Sequence, residues 1–278
     1  MIRIVADSTN DLPEEIINQL KIETVPLYIN FESKGYMDGI EITRKDFYER
    51  MIEADPLPTT ATPGVEMFNG AYSKLAEEGA TQILSIHISD SLSATVDVAR
   101  TAAKQFQTVP VTVYDSRQLS LGMGYLVIAA AKAARENETM ESIIFQLDEL
   151  NSRTYVFAAL ETLEYLQRSG RMGGVVARLG NILDIKPILK MHEGNPTGER
   201  VRTYKKALER LLQLVRELGR LERLDLVHTN APEKAEDLRE KSKDLFPGGE
   251  IPLSVDVTPA LGANIGPGVI GFACIKAK

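Results

Sequence analysis

The chain has 278 residues, 44% of them apolar and 26% charged, a composition that can build a core and so excludes a disordered class. With 32 Lys and Arg against 39 Asp and Glu the formal charge is −7, and a pI near 5.2 argues against a nucleic-acid surface, which needs basic character. The single cysteine, Cys274, excludes a disulfide framework or a thiolate zinc cluster.

No apolar run approaches the ~20 residues that cross a bilayer. The N-terminus turns acidic too soon for a secretory signal, so the chain is expected to be cytoplasmic. In chain order, strands are expected over 2–6, 24–29, 82–87 and 111–115, with helices over 13–20, 43–52, 63–78, 93–106, 119–135 and 140–150. Asp11-Leu12-Pro13-Glu14 reads as a helix start with an acidic cap, and Thr62-Pro63 reads as another. After about Asn151 the rhythm changes. A strand is expected over 155–160 and a helix over 161–168, followed by a glycine-rich run at 169–174. Extended runs at 185–191 and 199–205 read as a hairpin around the polar stretch 192–198. Helix 207–218, strand 224–228, helix 232–245 and strands 252–257 and 269–276 complete the chain. Alternating strands and helices predict an α/β fold class. We expect an N-terminal three-layer domain with a parallel sheet over 1–152 and a C-terminal α+β domain with a mixed sheet over 153–278, with a ligand cleft between them.

Several chemistries have no motif here. The phosphate loop G-x-x-x-x-G-K-[ST], the dinucleotide G-x-G-x-x-G and the hydrolase elbow G-x-S-x-G are missing. His87, His192 and His228 are far apart in sequence and form no zinc pair, so no metal or cofactor is expected.

Short polar groups cluster instead where strands end, the rim at which open parallel sheets bind ligands. Asp7-Ser8-Thr9-Asn10, Pro58-Thr59-Thr60-Ala61-Thr62, Ser89-Asp90-Ser91-Leu92-Ser93 and Asp115-Ser116 are the four such runs. Thr60 and Ser93 are expected just before helices, where free N–H groups favour an anion. Any one of these runs alone reads as ordinary capping, whereas four on one rim read as an anion pocket. Two further segments stand out. In Arg168-Ser169-Gly170-Arg171-Met172-Gly173-Gly174 the glycines permit a turn that projects Arg171. In Gly262-Ala263-Asn264-Ile265-Gly266-Pro267-Gly268, Asn264 suits either a turn or a ligand contact.

Taken in order, these blocks resemble the DegV family of fatty-acid-binding proteins. The matching segments are Ile4-Val5-Ala6-Asp7-Ser8-Thr9-Asn10-Asp11-Leu12-Pro13, Pro58-Thr59-Thr60-Ala61-Thr62-Pro63 and Ile88-Ser89-Asp90-Ser91-Leu92-Ser93-Ala94-Thr95. Asp115-Ser116 with Ser120-Leu121-Gly122-Met123-Gly124, residues 163–173 and 183–189, and Gly266-Pro267-Gly268 follow. The resemblance implies one long-chain fatty acid buried in a tunnel between two α/β domains. It implies a carboxylate held by the Thr60 and Ser93 hydroxyls, with Ser91, Arg171, Asn264 and Gly266 at the pocket mouth or near the head group. Tunnel-lining candidates are the apolar face of 119–134 and the segment 175–183. The chain departs from the family pattern at Ala61, where Ser is usual, at Ala94, where Gly is usual, and at Asn264, where His is usual. The last departure bears on coupling to a separate fatty acid kinase more than on lipid binding. The expected function is therefore a non-enzymatic fatty acid carrier, with a fatty acid kinase subunit as its partner and neither nucleic acid nor membrane insertion. The alternatives are an acyl hydrolase using Ser93, a component resembling sugar or carbonyl kinases, or a carrier of another small anion.

Overall fold

The computed structural model describes residues 1–32, 34–171, 185–248 and 252–278. β1 (Ile2–Asp7), β2 (Glu23–Val25), β6 (Gln82–His87) and β7 (Val111–Asp115) form an all-parallel sheet in the order β2-β1-β6-β7. Parallel strands are covered on both faces, which is why β6 reads as a nearly continuous buried run. Val5 and Ile83 face α3 (Val65–Glu77) and α4 (Thr95–Gln105). Ile4, Ala6, Leu84 and Ile86 face α5 (Ser120–Arg135), which is flanked by α1 (Glu14–Leu20) and α6 (Met140–Asn151).

A second, mixed sheet covers the other side of α5. It contains β8 (Thr154–Ala159), β9 (Lys186–His192), β10 (Asn195–Val201), β11 (Leu221–His228), β12 (Ser254–Asp256) and β13 (Ile270–Lys276) in the order β10-β9-β8-β13-β11-β12. Only the β11–β12 pair is parallel. Alternation divides its residues: Val156, Val227 and Ala273 pack with α5, while Phe157, Leu226 and Phe272 pack with α8 (Tyr204–Glu217) and α9 (Pro232–Lys241). Helix α5 is thus apolar nearly all round because it lies between two sheets. Its glycines permit that approach: a Cβ on Gly122 would lie 2.7 Å from Val156 Cγ2, and one on Gly124 2.7 Å from Asn10 O.

A small antiparallel sheet, β4-β3-β5, is built from β3 (Tyr28–Phe31), β4 (Lys34–Met37) and β5 (Thr59–Ala61). It shares a core with α2 (Arg44–Glu53) and α10 (Pro259–Ile265). The strand expected over 24–29 is in fact two, in different sheets, split at Pro26, which has no N–H for either ladder.

Three other expectations are corrected. The polar stretch 192–198 is mostly strand: the turn is Glu193-Gly194, with φ of 47° and 77°, and β10 is an edge strand that tolerates Pro196. Asp11 does not cap α1; it has φ 55° and turns its carboxylate into the core. Thr62 does not cap α3, which begins at Val65 behind Gly64. The same Thr-Pro signature does open a helix at Thr258-Pro259, α10, in a stretch for which no element is expected from the sequence.

Candidate functional site

A cavity of about 130 Å³ lies where the parallel sheet's rim, the small sheet, the mixed sheet and α10 meet. This greatly exceeds the ~10–15 Å³ that admits one water. Strand β8 supplies Val156 and Ala158, with Leu160 just beyond its end; their side chains alternate to one face, so this wall runs about 13 Å. Met191 and Leu189 of β9 stand opposite Val156 and Ala158 in register. Leu27, Ile88, Leu119, Leu166, Leu261 and Ile265 complete the apolar lining.

Into this aliphatic wall the fold sets a few polar side chains: Thr9, Thr60, Thr62, Ser93, Thr197, Asn264 and the two cations Arg171 and Lys190. Thr60 is held by the β5–β3 ladder opposite Ile29, and among the described residues its hydroxyl has no protein partner. Ser93 Oγ accepts the Thr95 N–H at 3.3 Å and pairs with Thr95 Oγ1 at 2.9 Å. With Thr95 donating in that pair, the Ser93 proton is free for an anion. Thr9 is spoken for differently, since its hydroxyl donates to Asp7 Oδ1 at 2.5 Å and leaves only lone pairs for the cavity. Arg171 donates to Ser169 O at 3.1 Å, and among the described residues no carboxylate pairs with it. Burial pulls its pKa down from the usual arginine value, as expected for a cation that has lost water and gained no counter-ion among the described residues. The nearby Lys190, by contrast, is neutralised by Glu199 at 2.8 Å.

Of the six residues expected at the site, Thr60, Ser93, Arg171 and Asn264 border the cavity. Ser91 and Gly266 do not. Ser91 is exposed, with its hydroxyl 2.9 Å from Ser89 Oγ. Gly266 is buried at the end of α10, where its carbonyl accepts the Thr229 hydroxyl at 2.7 Å. Asn264 donates Nδ2 to Ala260 O at 2.9 Å, back along its own helix. Thr60 reaches the cavity from a strand, not from a helix start. Ser116, from the fourth polar run, donates instead to Gln118 O at 3.2 Å. Of 119–134, only Leu119 borders the cavity, because the rest of α5 is core between sheets. The segment 175–183 lies outside the described residues. Sequence reasoning missed the β8–β9 wall of Val156, Ala158, Leu160, Leu189 and Met191, and it missed Leu261 and Ile265, for which the Thr258-Pro259 helix start was the available signal.

A Ser-His-Asp array does occur, away from the cavity. Ser85 Oγ is 2.7 Å from His87 Nε2, His87 Nδ1 is 3.1 Å from Asp7 Oδ2, and Tyr72 donates its hydroxyl to Ser85 at 3.0 Å. Ser85, His87 and Asp7 are 0% exposed, with Phe68 edge-on to the imidazole, so no substrate carbonyl can reach the serine. Ser93, which does face the cavity, has a threonine beside it and no histidine. Among the described residues no group of three or more His, Cys, Asp or Glu side chains could hold a metal ion, and no helix is long and apolar enough to cross a membrane.

Comparison with known proteins matches residues 1–277 to the family model described as "Uncharacterised protein, DegV family". A DegV domain-containing protein of Listeria innocua is 35% identical over 275 residues, covering 98% of this chain and 97% of the relative. Among solved structures, a DegV family protein from Thermus thermophilus described by its fatty acid binding superposes with a TM-score of 0.89 at 34% identity, covering 99% of both chains. The Bacillus subtilis DegV, described as a fatty acid binding protein, gives a TM-score of 0.89 at 29% identity, again over 99% of each chain.

Proposed function

Because the chain belongs to the DegV family, we propose that it binds one long-chain fatty acid in the cavity, tail along the β8–β9 wall and carboxylate against Thr60, Ser93 and Arg171. The observation that carries this reading is Arg171, a half-buried cation facing an aliphatic cavity with no carboxylate partner among the described residues. An anion with an apolar tail satisfies both features at once. Burying an alkyl chain contributes about 0.8 kcal/mol per methylene, so ~14 methylenes offer on the order of 11 kcal/mol before the costs of association. Hydroxyl donors add about 1 kcal/mol each. The tail therefore sets affinity, and the polar groups set orientation.

In this reading the chain is a cytoplasmic carrier and not an enzyme, because a Ser93 nucleophile would lack a general base. The units 1–152 and 153–278 enclose the ligand in a tunnel from either side. The chain carries no phosphate loop of its own, so phosphorylation of the bound carboxylate would fall to a separate fatty acid kinase that brings the nucleotide. Mass spectrometry of an organic extract of the denatured, purified protein tests the reading. The expected result is long-chain fatty acid in near-equimolar amount. No fatty acid in the extract, together with no uptake of added palmitate, overturns it; recovery of a different anion favours the small-anion carrier.

A further inference from the structure

Thr258, the N-cap of α10, is held from two sides by buried carboxylates. Asp11 accepts its backbone N–H at 2.7 Å, and Asp38 accepts its hydroxyl at 2.5 Å. Each carboxylate is also tied to the first half of the chain, Asp11 by the Ser120 hydroxyl at 2.5 Å and Asp38 by the Ser8 hydroxyl at 2.8 Å. The two are 1% and 3% exposed. Among the described residues the cation facing them is Arg44 of α2, 3.9 Å from Asp11 and itself partly exposed. Asp38 Oδ1 is buried with no hydrogen bond of its own, although the Ala260 N–H in the first turn of α10 is near enough to favour its charge. The other ionisable groups around the start of α10 are Tyr48 and Asp256. Tyr48 stays neutral, with its hydroxyl on Val257 O at 2.9 Å, and Asp256 lies 3.4 Å from His228.

Two buried carboxylates and one half-solvated arginine leave an excess negative charge where water does not reach. We propose that Asp11 and Asp38 are positioning residues of the candidate site: through Thr258 they set the seat of α10, and so of Leu261 and Asn264, and uptake of a proton by the pair makes that seat firmer in mild acid than in alkali. This role deepens the ligand reading of the cavity and rests on it, but its first test needs no ligand.

The sign follows from burial. Desolvation pushes the Asp11 carboxyl up to about 6 against the opposing pull of Arg44, and it raises Asp38 as well. When α10 lifts, water reaches the pair and both return toward the ordinary carboxylate range. The seated state then binds the proton more tightly than the lifted one. Lifting becomes easier as pH rises through 4 to 6 and levels off above about 7. For Asp11 alone this amounts to about a tenfold increase in opening between pH 5 and pH 7.5.

Amide hydrogen exchange of residues 258–265, corrected for the intrinsic pH dependence of exchange, tests the proposal on the whole chain. The native protein is expected to lose about tenfold protection in this segment from pH 5 to pH 7.5. Asp11→Asn keeps an acceptor for the Thr258 N–H but cannot ionise, so it should retain protection and flatten the profile, as should Asp38→Asn in part. Asp11→Ala, which also removes the acceptor, should raise exchange at both pH values. Equal protection of the native chain at the two pH values overturns the proposal, and this result does not depend on any variant folding. An unchanged native profile in folded Asp11→Asn also overturns it. Palmitate release measured in parallel should quicken with pH in the native chain and not in Asp11→Asn. If no palmitate binds at any pH, the ligand reading fails while exchange still decides whether the carboxylates seat α10.

Discussion

The ring of Tyr165 fills the space in which a side chain on Gly266 would stand: a Cβ there would lie 2.2 Å from Cδ2. Gly266 also has φ 78°, a conformation L side chains rarely adopt. Glycine at this position thus lets the end of α10 press against α7 (Glu164–Arg168), and both elements border the cavity. Its contribution to the site is spacing and not contact.

That difference is measurable by chemical denaturation. Gly266→Ala combines an alanine at φ 78° and ψ 174°, a region open essentially to glycine alone, at about 1–3 kcal/mol, with overpacking at about 1–3 kcal/mol. We expect a loss of about 2–6 kcal/mol. Gly219→Ala is the reference: φ is 80° there, but a Cβ meets nothing within 4 Å, so about 1 kcal/mol is expected. Equal losses in the two variants would show that the Tyr165 contact costs nothing.

Thr60 and Ser93 are expected to behave as ligand donors. Each alanine variant should weaken fatty acid binding by about 1–2 kcal/mol, the usual loss for a donor to a charged group. Stability should be nearly unchanged for Thr60→Ala, because its hydroxyl has no protein partner among the described residues. Ser93→Ala should be slightly less stable, since the Thr95 N–H and hydroxyl lose their acceptor. Titration with a fluorescent fatty acid gives the affinities. Wild-type affinity in both variants would remove the hydroxyls from the head-group site.

At the β9–β10 hairpin, Glu199 is bonded by Arg210 at 2.7 Å and by Lys190 at 2.8 Å. Arg210 foremost, against some desolvation, holds its carboxyl down to about 2. A depressed carboxylate contributes stability above its unfolded value near 4.5, and that stability is lost as pH falls through about 2. After allowance for solvent screening the network is worth about 1 kcal/mol. Glu199→Gln should therefore melt below the native chain at pH 7, with the gap closing between pH 4.5 and pH 2. A gap that persists at the acid end would assign the effect to packing.

Much of the fold was legible because periodicity and burial agree. Strands β6 and β7 carry the bounds read from sequence, 82–87 and 111–115. Helix α5 differs from its reading over 119–135 by one residue. The small sheet was harder, since β4 and β5 are short, partly exposed strands with no clear alternation. Helix α10 was hidden because its seven residues include Gly262, which is required because the Tyr48 hydroxyl stands where a Cβ would be. Tertiary contact overrode helix propensity there. For the site, the polar rim led to Thr60 and Ser93, which both border the cavity, but the capping argument for Thr60 did not hold. A carboxylate such as Asp11 looks like a cap in sequence, and only the fold brings Thr258 to it from 247 residues away.

Asn264 offers the sharpest separation between binding a lipid and passing it on. Its Nδ2 gives one of its two N–H bonds to Ala260 O at 2.9 Å, which ties the carboxamide back to its own helix and leaves one N–H donor and the Oδ1 acceptor. Asn264→Ala should accordingly change fatty acid affinity by less than about 0.5 kcal/mol, unlike Ser93→Ala. The carboxamide also cannot titrate, whereas an imidazole donates, accepts and becomes a cation near neutral pH. If a separate fatty acid kinase acts on the bound acid as proposed, Asn264→His should therefore raise its phosphorylation while leaving affinity unchanged. Both quantities come from one preparation, by ligand titration and by following ATP-dependent acyl phosphate formation. Equal turnover by the native chain and Asn264→His would show that the imidazole is dispensable. A large loss of affinity in Asn264→Ala would mean that the amide turns to face the carboxylate when the ligand binds.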